Sequence, residues 1–137
     1  MDRKLDAAQD AKISQYVETL IRDGSKLNLT SLRDPLVIRE ILIDDSLSGA
    51  DFLEGQKILD LGTGGGCPGI PLAIACPELQ FSLLEANGRK MGFLKTVVEE
   101  LALLNVELLH GRAEDIARQD QYRAEFDTVV CKAVAPM

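Results

Sequence analysis

Asp60, Gly62, Gly64 and Gly66 stand at alternate positions where a short apolar run ends, and Glu85 closes the next such run. Glycines so spaced let a backbone turn sharply and let a ligand come close to the main chain without meeting a Cβ. An acid at the end of the following strand accepts hydrogen bonds from ribose hydroxyls. Glu85 follows Gly64 at close to the roughly 20-residue separation of nucleotide-cofactor fingerprints. The chemistry within reach of these residues is the holding of a nucleotide-type cofactor.

Two cofactors compete for that loop. Gly64-Gly65-Gly66-Cys67-Pro68-Gly69 satisfies the formal G-x-G-x-x-G pattern of NAD binding. Asp60 opposes this reading, because a pyrophosphate would bring negative charge close to a carboxylate. S-adenosylmethionine reverses the sign, having a cationic sulfonium, a cationic amino group and no phosphate. The pattern Asp60-x-Gly62-x-Gly64-x-Gly66 suits it better. On these residues alone both cofactors stay open, while the acid at Glu85 argues against a glycine turn that binds nothing.

Such a loop needs a strand before it and a helix after it, and the surrounding pattern supplies both. Ile58-Leu59-Asp60-Leu61 reads as a strand running into the glycines, and Gly69 to Ala75 as a helix stopping before Pro77. Phe81 to Glu85 repeats the strand. Gly88 to Leu104 repeats the helix, with Phe93, Leu94, Val97, Val98, Leu101 and Leu104 on one face. Val106 to Leu109 and Phe126 to Cys131 read as further strands, with a short helix over Glu114 to Arg118 between them. Alternation of strand and helix implies a parallel sheet with right-handed crossovers.

Ahead of this unit the pattern is helical. Leu5 to Leu27 places Leu5, Ala8, Ile13, Tyr16, Val17, Leu20 and Ile21 near helical spacing, with Asp2 near the amino end and Gly24 as a stop. Pro35 opens a second helix after Asp34, carrying Leu36, Val37, Ile38, Ile41, Leu42 and Ile43, and Asp44-Asp45-Ser46 breaks its pattern. The expected organisation is a helical extension over residues 1–50 packed on a cofactor-binding half over 51–137. The chain stops at Pro136-Met137, directly after an apolar strand, which predicts that part of the fold lies beyond this end.

Composition narrows the class. A chain of 137 residues with 46% hydrophobic and 27% charged residues fits one globular domain. No apolar run approaches the roughly 18 residues of a membrane span, and the acidic start lacks a signal-peptide layout, so a cytoplasmic location is the default. Cys67, Cys76 and Cys131 show no metal-ligand spacing; they read as reduced thiols, and no metal site is expected. His110, with no second histidine, reads as a loop residue. Asn28-Leu29-Thr30 matches a glycosylation sequon but lacks the secretory signal that would give it meaning. A net charge of −7 is unfavourable for gripping a polyanion through nonspecific contacts.

Several separate segments resemble, in order, the bacterial small-subunit ribosomal RNA guanine-N7 methyltransferase family, known as RsmG or GidB. They are Asn28 to Pro35, Asp45-Ser46-Leu47, Ile58 to Ala75, Leu83 to Lys90 with Phe93-Leu94, Gly111-Arg112-Ala113-Glu114, and Cys131 to Ala135. The resemblance implies an α/β fold, a Rossmann-like class I S-adenosylmethionine-dependent methyltransferase sheet incomplete at its carboxyl end, preceded by helices. It implies S-adenosyl-L-methionine as cofactor, small-subunit rRNA or a ribosomal subunit precursor as partner, and a monomer if the chain is complete. Gly62 and Cys67 would line the methionine and ribose side of the loop. Glu85, Ala86 and Asn87 would meet the ribose and adenine edge, with Ala113 and Glu114 flanking the adenine. Lys132 would lie near the cofactor and steer the target base, although the family usually has an arginine there.

Other departures are Leu42, Ile43 and Asp44 where a histidine is common, and Gly92 where a basic residue is common. Arg89-Lys90 would face phosphate or cap a loop, and Asp45-Ser46 would orient the cofactor loop if it is more than a helix-ending pair. Guanine N7 carries a lone pair and no proton, so transfer needs alignment rather than a general base. That leaves three functional expectations: an rRNA guanine-N7 methyltransferase, a truncated cofactor-binding fragment without activity, and a methyltransferase with a different substrate.

Overall fold

A computed structural model of the chain describes residues 4–24, 27, 32–118 and 125–131. Helix α1 spans Ala7–Gly24. It begins at a reciprocal cap: the Gln9 amide donates to Asp6 Oδ1 at 2.7 Å, and the Asp6 amide donates to Gln9 Oε1 at 2.9 Å. Asp6 therefore takes the role expected of Asp2, which lies outside the described residues. Ile13, Tyr16, Val17 and Leu20 form the buried stripe, while Ala8, expected on it, is exposed.

Helix α2, Pro35–Ile38, starts as the sequence predicts: the Asp34 carboxylate accepts the Leu36 amide at 2.9 Å, and Pro35 holds the first turn. Beyond it the structure departs from expectation. A π-helical turn, Arg39–Asp44, leads directly into α3, Asp45–Leu47, so Asp44-Asp45-Ser46 continues the helix instead of breaking it. Asp44 and Asp45 are exposed, which removes the penalty for their charge, and Ser46 Oγ donates to the Leu42 carbonyl at 2.6 Å. The π turn also rephases the apolar face. Ile38 and Ile43, one i→i+5 step apart, are buried, whereas Leu36 and Ile41 are 78% and 52% exposed.

A 3-10 turn, Ala50–Phe52, precedes the sheet. The remaining elements are β1 (Lys57–Leu61), α4 (Gly69–Ala75), β2 (Gln80–Glu85), α5 (Gly88–Glu100), β3 (Val106–His110), α6 (Ala113–Ala117) and β4 (Thr128–Val130). Asn87 caps α5, its Oδ1 accepting the Arg89 and Lys90 amides at 2.9 and 3.0 Å. The helix ends short of Leu104 because Ala102 turns into the left-handed region at φ 50°, and Leu104 is left 96% exposed. His110 is the last residue of β3 rather than part of a loop.

The strands are parallel and ordered β3-β2-β1-β4. The chain runs outward from β1 through β2 to β3 and then returns to place β4 on the other side of β1, so the strand order reverses beside β1. The carboxyl end of β1 is thus the topological switch point, where an open α/β sheet forms its ligand crevice. All seven residues of α4 are buried, with α1 packed on one side and β2 on the other. Among the described residues no helix is long and apolar enough to cross a membrane.

Buried Asn105 locks α4 to the start of β3. Its amide nitrogen lies 3.1, 3.3 and 3.0 Å from the carbonyls of Ala73, Cys76 and Leu79. Asn105→Ala deprives these carbonyls of their side-chain donor and is expected to cost about 1–3 kcal/mol in urea unfolding. A midpoint indistinguishable from that of the parent chain would contradict this role.

Candidate functional site

Asp60, in the penultimate position of β1, is fully buried. Its Oδ2 accepts from Thr63 Oγ1 at 2.8 Å and from the Gly69 amide at 2.9 Å, so one carboxylate oxygen ties both ends of the glycine loop to the strand. Its Oδ1 is buried and has no hydrogen-bond partner among the described residues. Burial raises the Asp60 carboxyl to about 7; the bonds from Thr63 and Gly69 pull it down, and nearby Glu85 adds to the rise.

The loop itself uses left-handed backbone where the sequence provides glycine. Gly62, Gly64 and Gly66 have φ of 62°, 58° and 101°. A Cβ at Gly62 or Gly64 would meet nothing within 4 Å, so both face open space. Gly69 serves a different end: a Cβ there would lie 2.3 Å from Leu83 Cδ2 and 2.7 Å from Asp60 Oδ2, so only glycine lets α4 approach the sheet.

Glu85, at the end of β2, faces the loop as its spacing predicts, and it already holds backbone. Oε1 accepts the Gly64 amide at 2.8 Å and Oε2 the Asn87 amide at 2.8 Å. It therefore joins the glycine loop to the turn that opens α5.

Gly62, Leu84, Glu85, Ala86, Gly111, Arg112, Ala113 and Glu114 line one cleft of about 400 Å³. Five residues singled out in the sequence, Gly62, Glu85, Ala86, Ala113 and Glu114, are thus brought together from three separate stretches. The others stand around this cleft. Asp60 lies beneath the loop; Gly64 gives its amide to Glu85; Asn87 commits its side chain to capping α5. Cys67 is buried behind the loop, with Sγ 3.3 Å from the Tyr16 hydroxyl. Lys132 lies outside the described residues.

Asp45 and Ser46 line a different groove, with Pro68, Leu72 and β4. Ser46 bonds its own helix, so the expected orientation of the cofactor loop by this pair is not observed. At Arg89-Lys90 it is the backbone amides, capped by Asn87, that are engaged, and the Arg89 side chain is exposed.

Three contributors were given no part in the site from the sequence. Thr63 is buried and bonds Asp60, and its amide donates to the Leu84 carbonyl at 3.0 Å. A hydroxyl between Asp60 and the glycines was the available signal. His110 Nε2 lies 3.0 Å from the Ala86 carbonyl and supports the cleft wall. Tyr16 was read only as part of an apolar stripe, yet its hydroxyl donates to the Gly65 carbonyl at 2.6 Å. A buried phenol in an otherwise aliphatic stripe requires a polar partner, which was the missed signal.

Comparison with known proteins agrees with this geometry. A precorrin-6y C5,15-methyltransferase from Geobacter metallireducens GS-15 shares the fold at a TM-score of 0.53 and 20% identity, over 69% of this chain and 48% of that one. The parallel, helix-flanked sheet is thus a Rossmann-like α/β fold of the kind seen in methyltransferase structures. The ribosomal RNA small subunit methyltransferase G of Desulfitobacterium hafniense (strain Y51) is 40% identical over 134 residues, covering 96% of this chain and 55% of the relative. That of Pseudomonas syringae pv. tomato (strain ATCC BAA-871 / DC3000) is 41% identical over 135 residues, covering 97% and 61%. The chain spans about half the length of the curated relatives it matches. A family model described as GidB, rRNA small subunit methyltransferase G, matches residues 9–137, and the chain belongs to that family.

Proposed function

We propose that this chain binds S-adenosylmethionine in the cleft between Gly62 and Glu114 and forms the cofactor-holding part of a methyltransferase acting on N7 of a guanine in small-subunit rRNA. The observation that carries the cofactor is Asp60 Oδ1, a buried carboxylate oxygen without a partner among the described residues, beneath a loop whose glycines leave open space. A ligand with a cationic amino group and no phosphate supplies the donor and charge that this oxygen lacks, whereas a pyrophosphate supplies neither.

Each residue then has a distinct task. Each oxygen of Glu85 keeps a lone pair beyond the backbone amide it accepts, leaving capacity for ribose hydroxyls. Ala86 and Ala113 are small walls that leave width for a flat base, with Glu114 at the rim. Gly62 keeps the mouth open, Gly64 carries the amide that orients Glu85, and Asn87 fixes the turn beyond it. Cys67 supports the loop from behind, and Lys132 is the proposed base-positioning cation. When bound, the cofactor supplies an electrophilic methyl group on a sulfonium. Guanine N7 carries no proton, so the contribution of these residues is alignment rather than proton transfer. The rRNA substrate rests on what the relatives are called, and the N7 position on the motif resemblance. Within this reading, residues 1–50 form the helical extension and 51–137 the cofactor half.

A second reading, cofactor binding without turnover, is favoured by the net charge of −7, which works against retention of an RNA substrate. Calorimetry with S-adenosylmethionine, paired with a methylation assay on undermethylated small-subunit RNA, separates the two. Binding with transfer is expected; binding alone supports the second reading, and no binding overturns both.

Asp60 adds two pH signatures. Its carboxyl titrates near 7 in the folded chain and near 3.8 when unfolded, so the protonated form contributes stability that is complete below about pH 4 and lost as pH rises through about 7. The displacement corresponds to on the order of 4 kcal/mol as an upper value. Relative to Asp60→Asn, the ligand-free chain is therefore expected to lose stability between pH 4 and pH 8 in urea titrations. A constant difference would remove the burial argument.

A cationic ligand favours the carboxylate and must displace its proton below about pH 7. Affinity for S-adenosylmethionine is accordingly expected to rise from about pH 5.5 to about pH 7.5. Flat affinity over that range would count against Asp60 as the partner of the cofactor's amine.

A further inference from the structure

Tyr16 is the largest fully buried side chain of the described residues, and it belongs to α1, outside the strand-loop-helix unit that forms the cleft. Its hydroxyl has two neighbours, the Gly65 carbonyl at 2.6 Å and Cys67 Sγ at 3.3 Å. The first is at the short end of the range for an O–H···O bond. Burial, followed by the neighbouring Cys67 and Asp60, pushes the phenol well above its ordinary value, so it remains a proton donor throughout the working range of pH.

Three ties on the loop come from the sheet: the Thr63 amide to Leu84, the Gly64 amide to Glu85, and the Gly69 amide to Asp60. Within the loop the Gly66 amide closes a turn on the Thr63 carbonyl at 2.9 Å, and these bonds leave the carbonyl of Gly65, the middle of three consecutive glycines, to the Tyr16 hydroxyl. The Tyr16 hydroxyl acts at that point. The contact is close on both sides of the bond, since a Cβ at Gly66 would lie 3.1 Å from the Tyr16 oxygen and 2.6 Å from Ile70 Cγ1.

We propose that Tyr16 is a positioning residue for the cofactor: by donating to the Gly65 carbonyl, it holds the glycine loop in its ligand-receiving shape and makes α1 part of the cofactor site. This inference rests on the reading that the loop receives S-adenosylmethionine. Without the hydroxyl, the peptide joining Gly65 to Gly66 keeps only the turn bond from the Gly66 amide to the Thr63 carbonyl, so it is looser in the ligand-free chain, and binding must order it again. The loss should therefore be seen in affinity as well as in stability.

The test uses Tyr16→Phe, which keeps the ring and removes only the hydroxyl. Thr19→Val serves as a control on the same helix, because Thr19 Oγ1 donates to the Gln15 carbonyl at 3.0 Å and to Glu100 at 3.2 Å, away from the loop. Calorimetry with S-adenosylmethionine is expected to show about tenfold weaker binding for Tyr16→Phe and parental binding for Thr19→Val. Hydrogen exchange in the ligand-free chain is expected to be faster at the Gly64 and Gly66 amides of Tyr16→Phe, with β2 amides as the reference for global opening. Parental affinity and parental loop exchange in Tyr16→Phe would overturn the inference alone. So would an equal loss of affinity in both variants in step with their melting temperatures, since that is scaffold loosening. A parent chain that binds no S-adenosylmethionine overturns the cofactor reading, and this inference with it.

Discussion

The loop depends on a buried carboxylate. Asp60 Oδ2 bonds Thr63 and Gly69, residues that bracket the glycines, so the loop cannot change shape without releasing one of these bonds inside a dry environment. An asparagine could accept the same two bonds but would bring no charge. What the carboxylate adds is Oδ1, which is left without a partner in the described structure, and a proton that leaves only near neutral pH. Burial without full satisfaction is costly in a core and is kept where a ligand can relieve it. In the proposed reading the fold and the site are therefore one constraint: the carboxylate that closes the loop is also the group that favours a cationic ligand.

The sheet determines where the rest of the site falls. In the parallel register Leu61 lies opposite Leu84, so Glu85 stands one residue beyond the end of β1, level with the start of the loop. From there its carboxylate reaches the Gly64 amide. Glu85 in turn pairs with His110 across β2 and β3, and His110 bonds the Ala86 carbonyl. Gly111 to Glu114 then follow β3 directly to form the far wall. Three adjacent strands, β2 and β3 ending level and β1 one residue earlier, thus build a cleft from residues distant in sequence. Among the described residues, neither α1, α2 and α3 nor the groove beside β4 lines this cleft.

Much of this was legible because local chemistry and tertiary structure agree. Strand, glycine loop and helix are each short and strongly patterned, and the left-handed positions fall on glycine. Illegible features arose where tertiary contacts override a local signal. Asp44-Asp45-Ser46 has the composition of a helix stop, but its acids are exposed and a π turn carries the helix through. Leu104 continues the helical period of α5, but Ala102 has already turned the chain. The site shows the same division. Glycine spacing and Glu85 could be read along the chain, whereas the bond from Tyr16 to Gly65 spans 49 residues and belongs to no motif. Its only local trace is a hydroxyl on an apolar helix face.

Charge poses the remaining tension, because a chain of net charge −7 is proposed to serve a polyanionic substrate. Net charge is a count, whereas binding responds to the local field within roughly a Debye length, about 8 Å at physiological ionic strength. The cleft lining itself carries Glu85 and Glu114 beside Arg112. Asp60 is buried and half protonated near neutral pH, and the oxygens of Glu85 each accept a backbone amide. Arg112 on the cleft wall and Arg89 at the start of α5 are exposed cations on the same rim of the sheet. Other acids are committed to backbone elsewhere: Asp6 and Asp34 cap helices, and Asp127 accepts the Gln56 and Lys57 amides. Those amides hold the Asp127 carboxyl below its ordinary value, so it stays charged, but it does so at the amino ends of β1 and β4, away from the cleft. Part of the acidic balance is thus committed to caps and turns, and the proposed RNA substrate would have to be held by local cations rather than by the net charge.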